Sequence, residues 1–159
     1  MDINYYPFSR QLGWILKEKN MKLVVAESCT GGGLCSAITR IPGSSSWFDC
    51  GFVVYSNNSK EEILGIEPQL IQEEGSVSEA IAREMAARAL KRSRADISMS
   101  ITGTMGPTSE KSIGTVWFGI AKKMGTIQCR KARFSSGRKH IQDSSVIYGL
   151  KYLIQSIID

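Results

Sequence analysis

Residues 23–33 read Leu23-Val24-Val25-Ala26-Glu27-Ser28-Cys29-Thr30-Gly31-Gly32-Gly33, and Leu34 and Ile38 follow at helical spacing. A β-branched run that ends in small polar residues and three glycines, then resumes with a helical period, predicts a strand, a glycine-rich turn and a helix. Ligands of α/β sheets bind at the carboxyl ends of strands, so this turn is where chemistry is expected first. Backbone N–H groups at the start of the helix can hold a phosphate or stabilise an oxyanion there.

On the amino-terminal side, Leu12, Ile15 and Leu16 predict a helix over about residues 6–19 that stops near Asn20. On the other side, Pro42 to Ser46 is a turn by composition and Gly51 to Tyr55 a second buried strand. Asn57 then caps a short helix that carries Lys60. A longer helix begins at Ser78 with Glu79 in its first turn, and Ala82, Met85, Ala86, Ala89 and Leu90 share one face. Ile97 to Ile101 alternates as a strand should and leads into a loop from Thr102 to Pro107. Gly114 to Ala121 and Thr126 to Phe134 form two strands joined by a turn at Lys123-Met124-Gly125. Val146, Gly149, Leu150, Leu153, Ile154 and Ile157 mark a carboxyl-terminal amphipathic helix. Helices alternating with strands give the α/β class, here a layered α/β/α sandwich. Its sheet is mixed, because the last two strands form a hairpin and must be antiparallel. At 159 residues the chain fits one domain, residues 1–159.

Hydrophobic residues make up 42% and charged residues 22%, values of an ordinary globular protein rather than a disordered one. The apolar runs are far too short to span a bilayer, and Met1-Asp2-Ile3-Asn4 lacks the basic start of a secretory signal. The expected location is the cytoplasm. Four cysteines without a C-x-x-C pair and a lone His140 argue against a structural metal, and buried free thiols are the expected state. A net charge of +5 permits anionic partners. Most basic residues are interleaved with acids. The segment from Lys122 to Lys139 is not, and it can either face a phosphate or keep an edge strand soluble.

With one histidine, a Ser-His-Asp triad has little to draw on, and a serine paired with a lysine is the more economical arrangement. Ser28 stands in the glycine-rich turn and Lys60 follows the second strand. A lysine is a base only when neutral, a state that burial beside other cationic groups favours. On pattern alone, Ser28 or Thr30 can equally be a helix cap, Lys60 a surface lysine and Cys29 a rival nucleophile. Thr30, Gly31 and Gly32 are candidate substrate contacts, the glycines because they let a ligand approach the main chain.

The ordered segments Ala26-Glu27-Ser28-Cys29-Thr30-Gly31-Gly32, Pro42-Gly43-Ser44-Ser45, Gly51 to Asn57 with Lys60, Gly75-Ser76-Val77-Ser78-Glu79 and Gly114-Thr115-Val116-Trp117 resemble the CinA C-terminal domain family from about Leu12 to Leu153. The resemblance implies a Ser/Lys amidohydrolase that needs neither metal nor cofactor and deamidates nicotinamide mononucleotide to nicotinic acid mononucleotide and ammonia. In it Ser28 matches the nucleophile, Lys60 the base and Tyr55 a tyrosine beside them. Thr102 falls near the substrate, and Arg138 is the choice for a phosphate or carboxamide contact. Homo-oligomers are common in the family, and the apolar carboxyl-terminal helix is the expected interface.

The chain also departs from the family pattern. Thr108-Ser109-Glu110-Lys111 is shorter and lacks the usual glycines, Ser136 replaces part of a Gly-Asp-Arg motif, and Gln142 stands where a second arginine is common. A catalytically silent nucleotide-binding relative is therefore the second hypothesis, and a competence-linked nucleic-acid-binding protein the third. The last lacks any recognisable nucleic-acid motif.

Overall fold

The computed structural model describes residues 3–107 and 112–159. In chain order it contains α1 (Tyr6–Glu18), β1 (Leu23–Glu27), α2 (Gly33–Thr39), a 3-10 turn (Ser44–Ser46), β2 (Phe48–Val53), α3 (Asn57–Leu64), α4 (Pro68–Glu74), α5 (Glu79–Lys91), β3 (Ile97–Gly103), β4 (Thr115–Lys122), β5 (Ile127–Arg133) and α6 (Arg138–Ile158). The loop at 108–111, singled out above as shortened, lies outside the described residues.

One sheet runs in the order β2-β1-β3-β4-β5, with β1 parallel to both β2 and β3. The pairs β3/β4 and β4/β5 are antiparallel, so the sheet is mixed as the hairpin required. Successive residues of a strand face opposite ways, and β1 accordingly feeds two cores. Val25 joins Leu12, Leu34, Phe118 and Leu150 on the side of α1, α2 and α6. Val24 and Ala26 join Leu64, Ile71, Ile81 and Met85 on the side of α3, α4 and α5. The architecture is the expected three-layer α/β/α sandwich.

Several details depart from the sequence reading. The second strand begins at Phe48 and ends at Val53, before Tyr55. It lies at the sheet edge and alternates between half-buried and exposed rather than being buried throughout. Ser56, not Asn57, caps α3, its side chain accepting the Ser59 N–H. Helix α4 had no periodicity long enough to announce it.

Strand β3 alternates Ile, Ser, Met, Ser, Ile, yet both faces are buried. Its hydroxyl face lies under α5, where Ser98 donates to the Ala86 carbonyl and Ser100 to the Ala82 carbonyl. Gly119 makes that approach feasible, since a Cβ there would stand 2.5 Å from the Ala82 carbonyl oxygen.

The apolar side of α6, including Val146, Leu150, Leu153 and Ile157, is buried within the protein itself. It is therefore not free to form the subunit interface that the sequence suggested. Parts of the acid-poor segment are likewise engaged internally. Lys122 donates to the Ser156 carbonyl and Arg130 stacks 4.1 Å from the Tyr152 ring centre. No helix among the described residues is long and apolar enough to cross a membrane.

Candidate active site

The carboxyl end of β1 places two consecutive side chains on opposite faces of the sheet. Glu27, fully buried, turns toward α2, where its carboxylate accepts the Thr30 hydroxyl at 2.6 Å and the Leu34 and Cys35 N–H groups at 2.8 and 2.9 Å. A carboxylate fits the partial positive charge of a helix start, and Gly32 at φ +100° is the residue that lets the chain turn into that helix. Two expectations change as a result. The Leu34 and Cys35 N–H groups already have partners and are not available to a substrate oxyanion or phosphate. Thr30 is 6% exposed, and its hydroxyl is donated to Glu27.

Ser28, next in sequence, faces the other way. Its N–H donates to the Ile101 carbonyl, which carries the β1/β3 pairing one residue further and sets Ser28 beside Thr102. Lys60 reaches the same spot from the middle of α3. Its side chain is 1% exposed, and Nζ lies 3.0 Å from Ser28 Oγ, 3.0 Å from the Val54 carbonyl and 3.1 Å from the Tyr55 carbonyl. No carboxylate is among these partners. Burial disfavours the ammonium and lowers the Lys60 pKa from 10.5 to about 8. The burial that the sequence reading invoked is the cause, and the neighbouring cations it added play no part.

The arrangement also decides which way the neutral amine points. An ammonium can donate to all three partners. A neutral amine has two N–H bonds and one lone pair, and carbonyls can only accept. With its two N–H bonds on Val54 and Tyr55, a neutral amine has its lone pair left for the Ser28 hydroxyl, which otherwise donates to the Tyr55 carbonyl at 3.4 Å.

Around this pair lies a cavity of about 290 Å³, lined by Ser28, Tyr55, Lys60 and Thr102 together with Arg138 at its rim. Thus five of the expected site residues meet in one place, while Thr30, Gly31 and Gly32 are not part of the lining. Tyr55 contributes chiefly its carbonyl, the phenol being largely exposed. Arg138 donates to the Gly106 carbonyl at 2.7 Å, holding the loop after β3 against the start of α6.

Cys29 also borders the cavity, but burial pushes its thiol up to about 12, so it stays protonated and is no rival to Ser28. Its carbonyl accepts Gln142 Nε2 at 3.0 Å, so α6 fastens the Ser28 turn through a residue that the sequence showed only as a missing arginine. Sequence reasoning overlooked Ser76, Thr104, Met105 and Gly106 in the lining. Ser76 sat in a quoted landmark, two residues ahead of the Ser78 cap, which was the available signal.

A model of the CinA C-terminal domain matches residues 6–157. The chain belongs to the CinA C-terminal domain family. A family member from Escherichia coli (strain K12), the nicotinamide-nucleotide amidohydrolase PncC, is 40% identical over 160 residues, covering 99% of this chain and 97% of that one. A putative competence-damage inducible protein from Caldicellulosiruptor bescii is 43% identical over 91% of this chain, which corresponds to 36% of that longer protein. Among solved structures, the CinA-family fold recurs in the competence/damage inducible protein CihA from Agrobacterium tumefaciens. That chain superposes with a TM-score of 0.93 at 32% identity and full coverage of both chains.

Proposed function

We propose that this chain is a metal-independent nicotinamide-nucleotide amidohydrolase that converts nicotinamide mononucleotide to nicotinic acid mononucleotide and ammonia, with no cofactor. The observation that carries the reading is a buried lysine with a depressed pKa, its Nζ 3.0 Å from a serine hydroxyl on the wall of a polar cavity. Relatives of this name at 40% identity over nearly the whole of both chains supply the substrate class.

In this mechanism neutral Lys60 takes the Ser28 proton as Oγ attacks the carboxamide carbon. The ammonium so formed returns the proton to the departing nitrogen, and the C–N bond breaks to release ammonia. Water, deprotonated in turn by Lys60, attacks the acyl-Ser28 ester; the C–O bond to Oγ breaks, Lys60 returns the proton to Ser28 Oγ, and the carboxylic acid leaves. Arg138, whose guanidinium uses one nitrogen on Gly106, keeps donors free at the rim for the substrate phosphate. The exposed Tyr55 ring borders the same opening.

The same reading takes the chain as one domain acting in the cytoplasm as a homo-oligomer. Because the apolar face of α6 is occupied, subunits would have to meet through another surface. Ammonia release from nicotinamide mononucleotide by the purified protein, compared with Ser28→Ala, is the direct test. Turnover abolished in the variant supports the assignment. Full activity in Ser28→Ala removes Ser28 as nucleophile, and tight nucleotide binding with no turnover in the wild type favours the silent relative.

A further inference from the structure

Ser28 has a second neighbour whose chemistry differs from that of Lys60. The Ser28 N–H bond to Ile101 places Thr102 directly alongside it on the adjacent strand, and both side chains line the cavity. Thr102 is 1% exposed, and its Oγ1 lies 2.7 Å from the Ser76 carbonyl. A carbonyl has no proton to give, so the bond is donated by Thr102. A threonine hydroxyl has one proton and two lone pairs. With the proton fixed on Ser76, what remains for the cavity is acceptor capacity alone.

We infer that Thr102 is a polarity filter at the reaction centre, selecting a ligand group that donates hydrogen bonds, such as the NH2 of a primary carboxamide, over a carboxylate. The inference rests on the amidohydrolase reading above and extends it to the discrimination between substrate and product. While the carbon bears nitrogen, an N–H of the amide meets the Thr102 lone pairs. After hydrolysis an oxygen of the carboxylate stands there instead, with lone pairs facing lone pairs and no proton between them. The site thus binds the amide and disfavours the acid it has just made, which promotes product release. The Ser76 carbonyl is what enforces this. It comes from the loop ahead of α5, and without it the hydroxyl could rotate and donate to a carboxylate.

The test compares binding of nicotinamide mononucleotide and of nicotinic acid mononucleotide by calorimetry in Ser28→Ala protein, where no turnover occurs, with and without Thr102→Val or Thr102→Ser. With Thr102 present the amide should bind the more tightly. Thr102→Val should weaken the amide by about tenfold while leaving the acid unchanged or tighter, the scale of one neutral hydrogen bond. Thr102→Ser, which keeps the hydroxyl, should restore the preference and controls for a disturbed fold. An amide-to-acid affinity ratio that is the same with Thr102, Val and Ser at this position overturns the inference. Failure of both nucleotides to bind the Ser28→Ala protein overturns instead the functional reading on which it rests.

Discussion

Glu27 and Lys60 are both buried charged side chains within a few residues of Ser28 in space, but the sheet separates them and their surroundings differ. On the α2 side, Glu27 receives three hydrogen-bond donors, two of them from a helix start. On the α3 side, Lys60 meets two carbonyls and a hydroxyl, with no opposite charge among its partners in the described residues. Equal burial therefore yields a carboxyl group satisfied by three donors in one case and a readily discharged amine in the other. A buried ion is held when its partners complement it and becomes a base when they do not.

The comparison is broken most severely at Lys60. Lys60→Met should lower kcat/KM for the amide by about a hundred- to ten-thousandfold, the span of general acid-base catalysis. Circular dichroism should meanwhile show an intact fold. At Glu27 the order of effects should reverse. Glu27→Gln should cost about 2–3 kcal/mol of stability in urea unfolding, because it replaces an acceptor oxygen by an amide NH2 set against existing donors. Its kinetic defect should be secondary to that loss.

The pH dependence sharpens the contrast. Only the neutral amine can take the Ser28 proton, so kcat/KM should rise with pH and level off above about 8. The folded pKa of Lys60 lies below its ordinary 10.5. Between about 8 and 10.5 the unfolded chain therefore holds more protons than the folded one, and folding stability should increase with pH through that window. Below it, where both states are protonated, Lys60 adds no slope. Thermal unfolding of wild type against Lys60→Met across this range should show the rise in the wild type alone. The smallest effect belongs to Gln142. Gln142→Ala should reduce kcat a few-fold with little change in KM, and Gln142→Arg, which retains a donor for the Cys29 carbonyl, should recover it.

Much of this was legible in the chain. The order strand, glycine turn, helix at 23–34, the hairpin at Lys123-Met124-Gly125 and the helical stripe from Val146 to Ile157 each carry a local period, and local period is what sequence displays best. Ser28 and Lys60 could be matched to a family pattern, but their contact spans 32 positions and depends on β1 and β2 lying side by side. The misplacements share that origin. Thr30, Gly31 and Gly32 were expected beside the substrate but lie outside the cavity lining, and nothing local reveals that Glu27 folds back to take the Thr30 hydroxyl. Gly51 to Tyr55 looked buried because edge and centre strands differ by neighbours, not by composition. Thr102 gave no hint that its proton is committed, since its acceptor at Ser76 lies 26 residues earlier.

Helix α6 ties Arg138 to the loop after β3 and Gln142 to the serine turn, four residues apart on one helix start. Both walls of the opening thus hang from a single rod whose far end is embedded among aliphatic side chains. Damage near Ile154 or Ile157, remote from any reacting atom, would loosen that anchorage and register as slower turnover before the sheet itself gave way.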